Sequence, residues 1–298
     1  MKIAAVTIYC NEDFRLEAWK RYYEEYRGDI GLHVIVNNGR KEDTPLLRAA
    51  FPDSLVLESP TPNMMASYNL ALREILKDPE IDAIAQIVND IRLSEGALPT
   101  LYRMLEADGG LFAVSPVLLE KDSEVVDCYG CEINLRNLDF VHLDSCRRLS
   151  DLTDPVREVS GLPAGIFLAR RSQYEKLGFQ DERLEMYADE VDMGIRVAAE
   201  GLRMAVTTSA RAWHQHVNRD GKAVRSERAA FLMGRNPVYI AWKYRPRFSV
   251  LRVFSRGVFR GIDEIRSALM HRKTVDHYRF GLALMRGAAA GLRMRKAN

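Results

Sequence analysis

Several groups of side chains in this 298-residue sequence have the type and spacing to do chemistry. In Ile87-Val88-Asn89-Asp90 a carboxylate follows a buried, strand-like run. A lone acid there can hold a divalent ion that bridges two phosphates, because magnesium and manganese take few protein oxygens and complete their shells with water and substrate phosphate. The same Asp could simply cap a helix or turn. Asp189-Glu190-Val191-Asp192 opens a helix that continues to Arg196. Acids in a first helical turn are electrostatically ordinary. Three so close together also raise one another's pKa, which suits a base that deprotonates an acceptor hydroxyl. In Trp213-His214-Gln215-His216, strand alternation puts both imidazoles on one face, where they could ligate manganese or zinc or be structural. Cys128-Tyr129-Gly130-Cys131, with His142 and Cys146 downstream, could form a four-ligand zinc site, although the His–Cys gap is loose; the alternative is reduced, buried thiols on a hairpin.

These residues need elements to position them. Ile3–Tyr9, Leu32–Val36, Ser54–Leu57, Ala83–Val88 and Leu111–Leu119 read as strands. Helical patterns over Asp13–Arg27, Pro45–Phe51, Ser67–Leu76 and Gly96–Ala107 alternate with them. Such alternation predicts an α/β fold with a parallel sheet, whose ligands bind beyond the carboxyl ends of the strands. Asn11, Asn37, Asn38 and Asp90 all fall there. Residues 120–160 read as a hairpin and loops. Ala164–Ala169, Ala205–Thr208 and Arg211–Trp213 read as further strands around the Asp189–Ala199 helix. From Ser226 the pattern is helical, with breaks near Pro246 and Thr274.

Composition bounds the function. The net charge of +2 is a sum over unlike parts: residues 219–298 carry 19 basic and 5 acidic side chains, and residues 1–218 carry 24 and 36. This predicts a domain at 1–218 and a basic helical region at 219–298. Arg252, Arg256, Arg260 and Arg266 interleave with Leu251, Phe254, Phe259 and Ile262, a pattern that suits an anionic membrane surface contacted through residues 245–298. The bland alternative is a solvated helix face. No nucleic-acid-binding module is visible, so nucleic acid is not expected as a partner. With no apolar run of membrane-spanning length, no signal peptide and four cysteines, the expected location is the cytoplasm, peripheral on the inner face of the cell membrane. There is no glycine-rich dinucleotide fingerprint, no phosphate loop and no Gly-x-Ser-x-Gly elbow, which disfavours a dehydrogenase, a P-loop kinase and an α/β-hydrolase.

The order of the pieces from about residue 3 to 245 resembles the inverting family-two glycosyltransferases of GT-A fold, including rhamnosyltransferase-like bacterial members. Ile8-Tyr9-Cys10-Asn11 resembles the family's first strand end, and Val36-Asn37-Asn38-Gly39-Arg40 its nucleoside-contacting Asp-Asn-Gly-Ser segment. Asn63-Met64-Met65 with Asn69 resembles an Asn-x-Gly…Asn segment, and Val88-Asn89-Asp90 a DxD motif that keeps its last acid. Ala164-Gly165-Ile166-Phe167 resembles the Gly-rich strand, and Leu177-Gly178-Phe179-Gln180-Asp181-Glu182 the Gly-x-Phe-Asp-Glu segment. Tyr187-Ala188-Asp189-Glu190-Val191-Asp192 with Arg196 resembles a Tyr-x-Glu-Asp-x-Asp…Arg block with its acid pair swapped, and Arg235-Asn236 a later Arg-Asn pair.

The resemblance implies a mixed, mainly parallel GT-A sheet flanked by helices, with a C-terminal helical extension. It implies transfer of a hexose or deoxyhexose from a nucleotide-diphosphate sugar to a hydroxyl of a glycan or lipid-linked acceptor, as in polysaccharide or lipopolysaccharide synthesis. Asp90 and His214 would hold Mn or Mg. Tyr9, Asn11, Asn37, Asn38, Asn63, Asn69, Asn89 and Gly165 would contact the nucleotide sugar. Glu190 would be the base, with Asp189 as rival and Asp192 beside them. The alternative is a non-catalytic sugar-nucleotide or glycan binder on the same fold, suggested by the missing DxD acid and by Asn37.

Overall fold

The computed structural model describes residues 1–163, 165–215, 226–270 and 275–294. The chain divides into two compact units. The first comprises Met1–Glu132, His142–Glu182 and Met193–Arg219; the second comprises Ile133–Val141, Arg183–Asp192 and Asp220–Asn298.

In the first unit, β1 (Ile3–Tyr9), β2 (Leu32–Asn37), β3 (Leu55–Glu58) and β4 (Ala83–Ile87) alternate with α1 (Leu16–Tyr26), α2 (Thr44–Ala50) and α3 (Met64–Ile75). β1 pairs in parallel with both β2 and β4, and every residue of β1 and β4 is buried, as expected of strands covered on both faces. Thr7 is the polar exception inside β1. Its hydroxyl donates to the Ile87 carbonyl at 2.8 Å, so it is not an unsatisfied group in the core. The helix over α3 begins at Met64, three residues earlier than the pattern predicts, because the Asn63 side chain caps it by accepting from Ala66 N–H at 3.0 Å.

Next come β5 (Ile91–Leu93), α4 (Ala97–Ala107), β6 (Leu111–Glu120), β7 (Val126–Cys128), β8 (Cys131–Asn134), β9 (Asp139–His142) and β10 (Val156–Val159). They are followed by β11 (Ile166–Arg170), α5 (Arg171–Leu177), α6 (Asp189–Ala199) and β12 (Arg203–His214). Among the described residues the main sheet runs β10-β12-β6-β11-β4-β1-β2-β3, with β5 on β12 and β7 on β6. β11 lies antiparallel to both β4 and β6, so the sheet is mixed. The two closing strands expected around Ala205 and Arg211 are one strand, β12, whose register against β6 shifts between Thr207 and Arg211. The shift accommodates Ser209 N–H donating to the Thr207 hydroxyl at 3.1 Å. The region read as loops contains four strands. β10 was illegible because its partner, β12, is remote in sequence, and β7 because it is only three residues long and its register against β6 is irregular. Residues 131–142 are the expected hairpin, β8 paired with β9.

In the second unit, α7 (Glu227–Lys243), α8 (Val250–Met270) and α9 (Val275–Gly291) pack around Ala230, Phe280, Ala283 and Leu284. Glycines set how close these helices come. A methyl group at Gly281 would sit 2.6 Å from the Gly261 carbonyl oxygen, and one at Gly291 2.6 Å from the Arg235 carbonyl oxygen, so α9 meets both neighbours backbone to backbone. The α8 face away from this packing exposes Leu251, Phe259, Ile262, Leu269 and Met270. Among the described residues, no helix is long and apolar enough to cross a membrane.

Candidate active site

Two sets of candidate residues are built, one in each unit. In the first unit, backbone pairing explains how residues far apart in sequence meet. β5 pairs antiparallel with β12, placing His214 opposite Ile91, and Gln215 N–H donates to the Asp90 carbonyl at 2.9 Å. Asp90 and His214 are thereby neighbours: Oδ2 of one lies 3.5 Å from Nε2 of the other. Two adjacent ligands of one octahedral ion are separated by about 3 Å, given metal–ligand distances near 2.1 Å.

The third member is Asp127 on β7, whose Oδ2 lies 3.0 Å from His214 Nδ1. A metal-ligating histidine characteristically donates its other ring N–H to a carboxylate, which fixes the tautomer that presents Nε2. Arg15 reaches Asp90 at 2.7 Å and Glu12 at 3.3 Å, and Asn89 donates to Glu12. Burial pushes the Glu12 carboxyl up, opposed by the bonds from Asn89 and Arg15. Burial lowers the His214 pKa, but the bonds to Asp127 and Asp90 outweigh it and leave the imidazole raised to about 9. The cluster thus draws a proton and a guanidinium onto its carboxylates, which is the electrostatic demand that a divalent cation would meet. The donor set fits Mn or Mg: one carboxylate, one imidazole oriented by a second carboxylate, and remaining positions for phosphate and water. His216, the second imidazole of the sequence motif, lies outside the described residues, as does Ala164.

The neighbouring strand ends form the walls. Asn11 (φ 58°) accepts from Arg40 N–H through Oδ1 at 2.7 Å. This places it against Gly39, where a Cβ would lie 2.8 Å from the Asn11 backbone nitrogen. Tyr9 is buried and its hydroxyl donates to Asp43 at 3.0 Å. Asn38 is buried and its Oδ1 accepts from the Ser67 hydroxyl at 3.0 Å. Gly165 gives its carbonyl to Val88 N–H at 2.9 Å, tying β11 to the segment that carries Asp90.

Two of the inferred contact residues have their side-chain amides bonded within the protein. Asn37 donates to the Arg40 carbonyl and the Thr44 hydroxyl and accepts from Gly39 N–H, so its whole amide is used inside its own loop. Asn69, 2% exposed, donates to the Gln180 carbonyl and to Glu182 and accepts from Gln180 N–H. With these bonds the Asn69 amide holds the Gln180–Glu182 segment. Asn63 helps Asn69, donating to the Glu182 carbonyl at 2.8 Å. Arg196 grips the same segment, donating to the Leu177 carbonyl at 3.1 Å and to Gln180 Oε1 at 3.2 Å.

In the second unit, Asp189 and Glu190 open α6 side by side. Burial pushes Asp189 up to about 6, with Asp192 adding to the effect. Burial first, and Asp189 second, push Glu190 well above its ordinary range. The two carboxyls therefore titrate as a pair, both above the ordinary carboxylate range. Asp192 is fully buried and accepts from Lys243 Nζ at 2.6 Å and the Tyr244 hydroxyl at 2.8 Å. This buried ion pair fastens α6 to α7.

The turn before α6 is strained. Glu185, Tyr187 and Ala188 have φ of 61°, 66° and 61°, each costing about 1–3 kcal/mol in a non-glycine residue. The Asn236 amide holds them, donating to the carbonyls of Leu184, Met186 and Tyr187, each at 2.8 Å. Arg235 adds bonds to Glu185 at 2.6 Å and to the Arg183 carbonyl at 2.8 Å. Replacing Asn236 by Ala is expected to cost about 1–3 kcal/mol in urea unfolding by orphaning buried carbonyls.

Sequence reasoning missed Asp127, Glu12 and Arg15. Their only signal was type: nothing local marks an acid next to Cys128 as the orienter of a histidine 87 residues away.

The described fold is of the GT-A class. Among solved structures the chain is similar to GalNAc-T7 with UDP, GalNAc and Mn2+, with a TM-score of 0.63, 11% identity, and coverage of 95% of this chain and 54% of that one. It is also similar to the mannosyltransferase PcManGT from Pyrobaculum calidifontis in complex with GDP-Man and Mn2+, with a TM-score of 0.58, 14% identity, and coverage of 98% and 87%. The chain spans about half the length of the first of these. At such identities the likeness establishes the fold. No protein-family model matches the sequence, and no curated protein matches it.

Proposed function

We propose that this protein transfers a sugar from a nucleotide-diphosphate donor to a hydroxyl of a glycan or lipid-linked acceptor, with inversion and with the help of Mn or Mg. The observation that carries the reading is the Asp90–His214–Asp127 relay at the carboxyl end of the sheet. It lies on a fold whose solved examples include two structures holding nucleotides and Mn2+. When bound, the ion supplies positive charge to the diphosphate leaving group. Asp90 and His214 would hold that ion, and Asp127 would keep Nε2 of His214 aimed at it. Asn11, Asn38 and Asn89 line the donor side. Glu190 takes the acceptor hydroxyl proton, and Asp189 shares its charge and sets its basicity. A single displacement by that hydroxyl leaves the anomeric centre inverted.

A thermal-shift screen of nucleoside diphosphates and their sugars with Mn tests the donor site. A native-state ligand at 100 times its Kd adds about 2.7 kcal/mol of apparent stability. One nucleotide should stabilise the chain only when Mn is present, and stabilisation by none of them would remove the reading.

The acceptor side is proposed to be at a membrane. The exposed α8 residues Leu251, Phe259, Ile262, Leu269 and Met270 are accompanied by the exposed Arg252, Arg256, Arg260 and Arg266. Apolar side chains beside arginines match an anionic bilayer surface, each basic residue contributing about 1 kcal/mol near it. Full-length protein should float with vesicles containing phosphatidylglycerol at low salt and stay behind with neutral ones. Substituting Phe259 and Ile262 by Ser should cut the bound fraction several-fold. Equal behaviour with both vesicle types, or no change on substitution, would remove the membrane from the account.

A further inference from the structure

The proposed transfer assigns the cysteine motif no chemical role, yet the fold assembles it. Among the described residues, one set of three Cys, His or carboxylate side chains has donor atoms all within 4.8 Å of one another: Cys128, Cys131 and His142. All three belong to the first unit.

The backbone explains why they converge. Cys128 ends β7 and Cys131 begins β8, and Gly130 between them has φ of 86°. That left-handed turn folds the two thiols back on each other, with sulfurs 3.5 Å apart. Tyr129 N–H donates to the Leu143 carbonyl at 3.0 Å, and Leu143 N–H donates to the Gly130 carbonyl at 2.9 Å. This pairing brings the end of β9, and with it His142, alongside the turn. Cys146, the fourth residue of the sequence pattern, is exposed and lies outside the cluster.

We infer that Cys128, Cys131 and His142 bind a zinc ion, with water as the fourth ligand. Tetrahedral zinc with Zn–S near 2.3 Å separates two thiolates by about 3.8 Å, close to the spacing already present. The two thiols lose their protons to solvent on binding, and two thiolates balance the charge of the ion. The Cys128 S–H, which donates to the Gly130 carbonyl at 3.0 Å, gives up that bond for the metal. The cysteine pair is buried and the histidine exposed, so the open position faces solvent. Softness separates this site from the Asp90 cluster: thiolates select zinc over manganese, and carboxylate with phosphate does the opposite. Bound zinc would staple β7 to the β8–β9 hairpin and so brace Asp127, the residue immediately before Cys128.

The test uses full-length protein stripped with EDTA and titrated with Co2+ alone. The expected result is a thiolate-to-cobalt charge-transfer band that saturates at one equivalent and is bleached by one equivalent of Zn2+. His142→Ala, at an exposed position, should keep the fold and weaken cobalt binding about ten-fold or more. Cys146→Ser should leave the titration unchanged, and Cys131→Ser should abolish the band. No band in the wild type, an unchanged titration in His142→Ala, or loss of the band in Cys146→Ser would overturn the assignment. So would a mass two hydrogens below the reduced chain after purification without reductant, which marks a disulfide between the cysteines. None of these readouts depends on sugar transfer, so the zinc site and the proposed activity fail separately.

Discussion

Glu190→Gln is expected to lower sugar transfer by about 10²–10⁴-fold, the usual contribution of a positioned general base, while leaving donor affinity in the presence of Mn unchanged. The neighbouring acid gives the prediction its distinguishing feature. Asp189 is raised to about 6 and itself pushes Glu190 upward. The pair must lose a proton before it can accept one, so wild-type turnover should rise with pH through an acid limb at about 6 or above. In Asp189→Asn the negative neighbour that holds the Glu190 proton is gone. The sign is therefore fixed: the acid limb moves to lower pH and substantial turnover survives. In Glu190→Gln no pH restores the rate. If instead Asp189→Asn is the dead variant and Glu190→Gln keeps wild-type turnover, the two roles are exchanged and Asp189 is the base.

The second large effect is expected at Asp90. Its carboxylate lies 3.5 Å from His214 Nε2, and Arg15 is bonded to it as well. Asp90→Asn should reduce Mn-dependent nucleotide release by about 10²–10³-fold, the scale of losing one preorganised electrostatic contact at a developing charge. Adding more Mn should not rescue it. Asp127→Asn should behave differently. Asp127 bonds His214 Nδ1 and would orient the histidine rather than hold the ion, so its loss should weaken Mn binding by about 10–100-fold and be rescued by excess Mn. Equal loss in both variants with no rescue in either would show that Asp127 does more than orient His214. Wild-type Mn dependence in Asp90→Asn would remove the ion from this cluster.

What could be read in the sequence follows from how local each signal is. The Ile3–Tyr9 and Ala83–Ile87 runs are apolar throughout because both faces of these strands are covered, and that is visible without partners. Val126–Cys128 and Val156–Val159 are short and half polar, and they become strands only because β6 and β12 accept them. The same division holds for the candidate sites. Asp90 and Asp189–Glu190 were legible from carboxylates at a strand end and a helix start. Asp127 was not, since its meaning depends on β6 pairing with both β7 and β12. Residue type alone also does not show partners: the hydrogen bonds that Asn37, Asn69 and Asp192 make within the protein depend on the tertiary fold. Arg235-Asn236 looked like a marker following the site and is instead the clamp on a strained turn. The charge asymmetry between residues 1–218 and 219–298 has a physical counterpart in the arginines exposed on α8.

The most direct test of the central claim is nucleotide release from a panel of nucleotide-diphosphate sugars, measured with Mn and after chelation, in wild type and in Asp90→Asn. The account predicts release from at least one donor by the wild type with Mn. It predicts loss of that release both on chelation and in Asp90→Asn. Release that persists undiminished after chelation and in Asp90→Asn would contradict it, and so would tight Mn-dependent donor binding without release in the presence of any acceptor glycan, which would mark the chain as a binder.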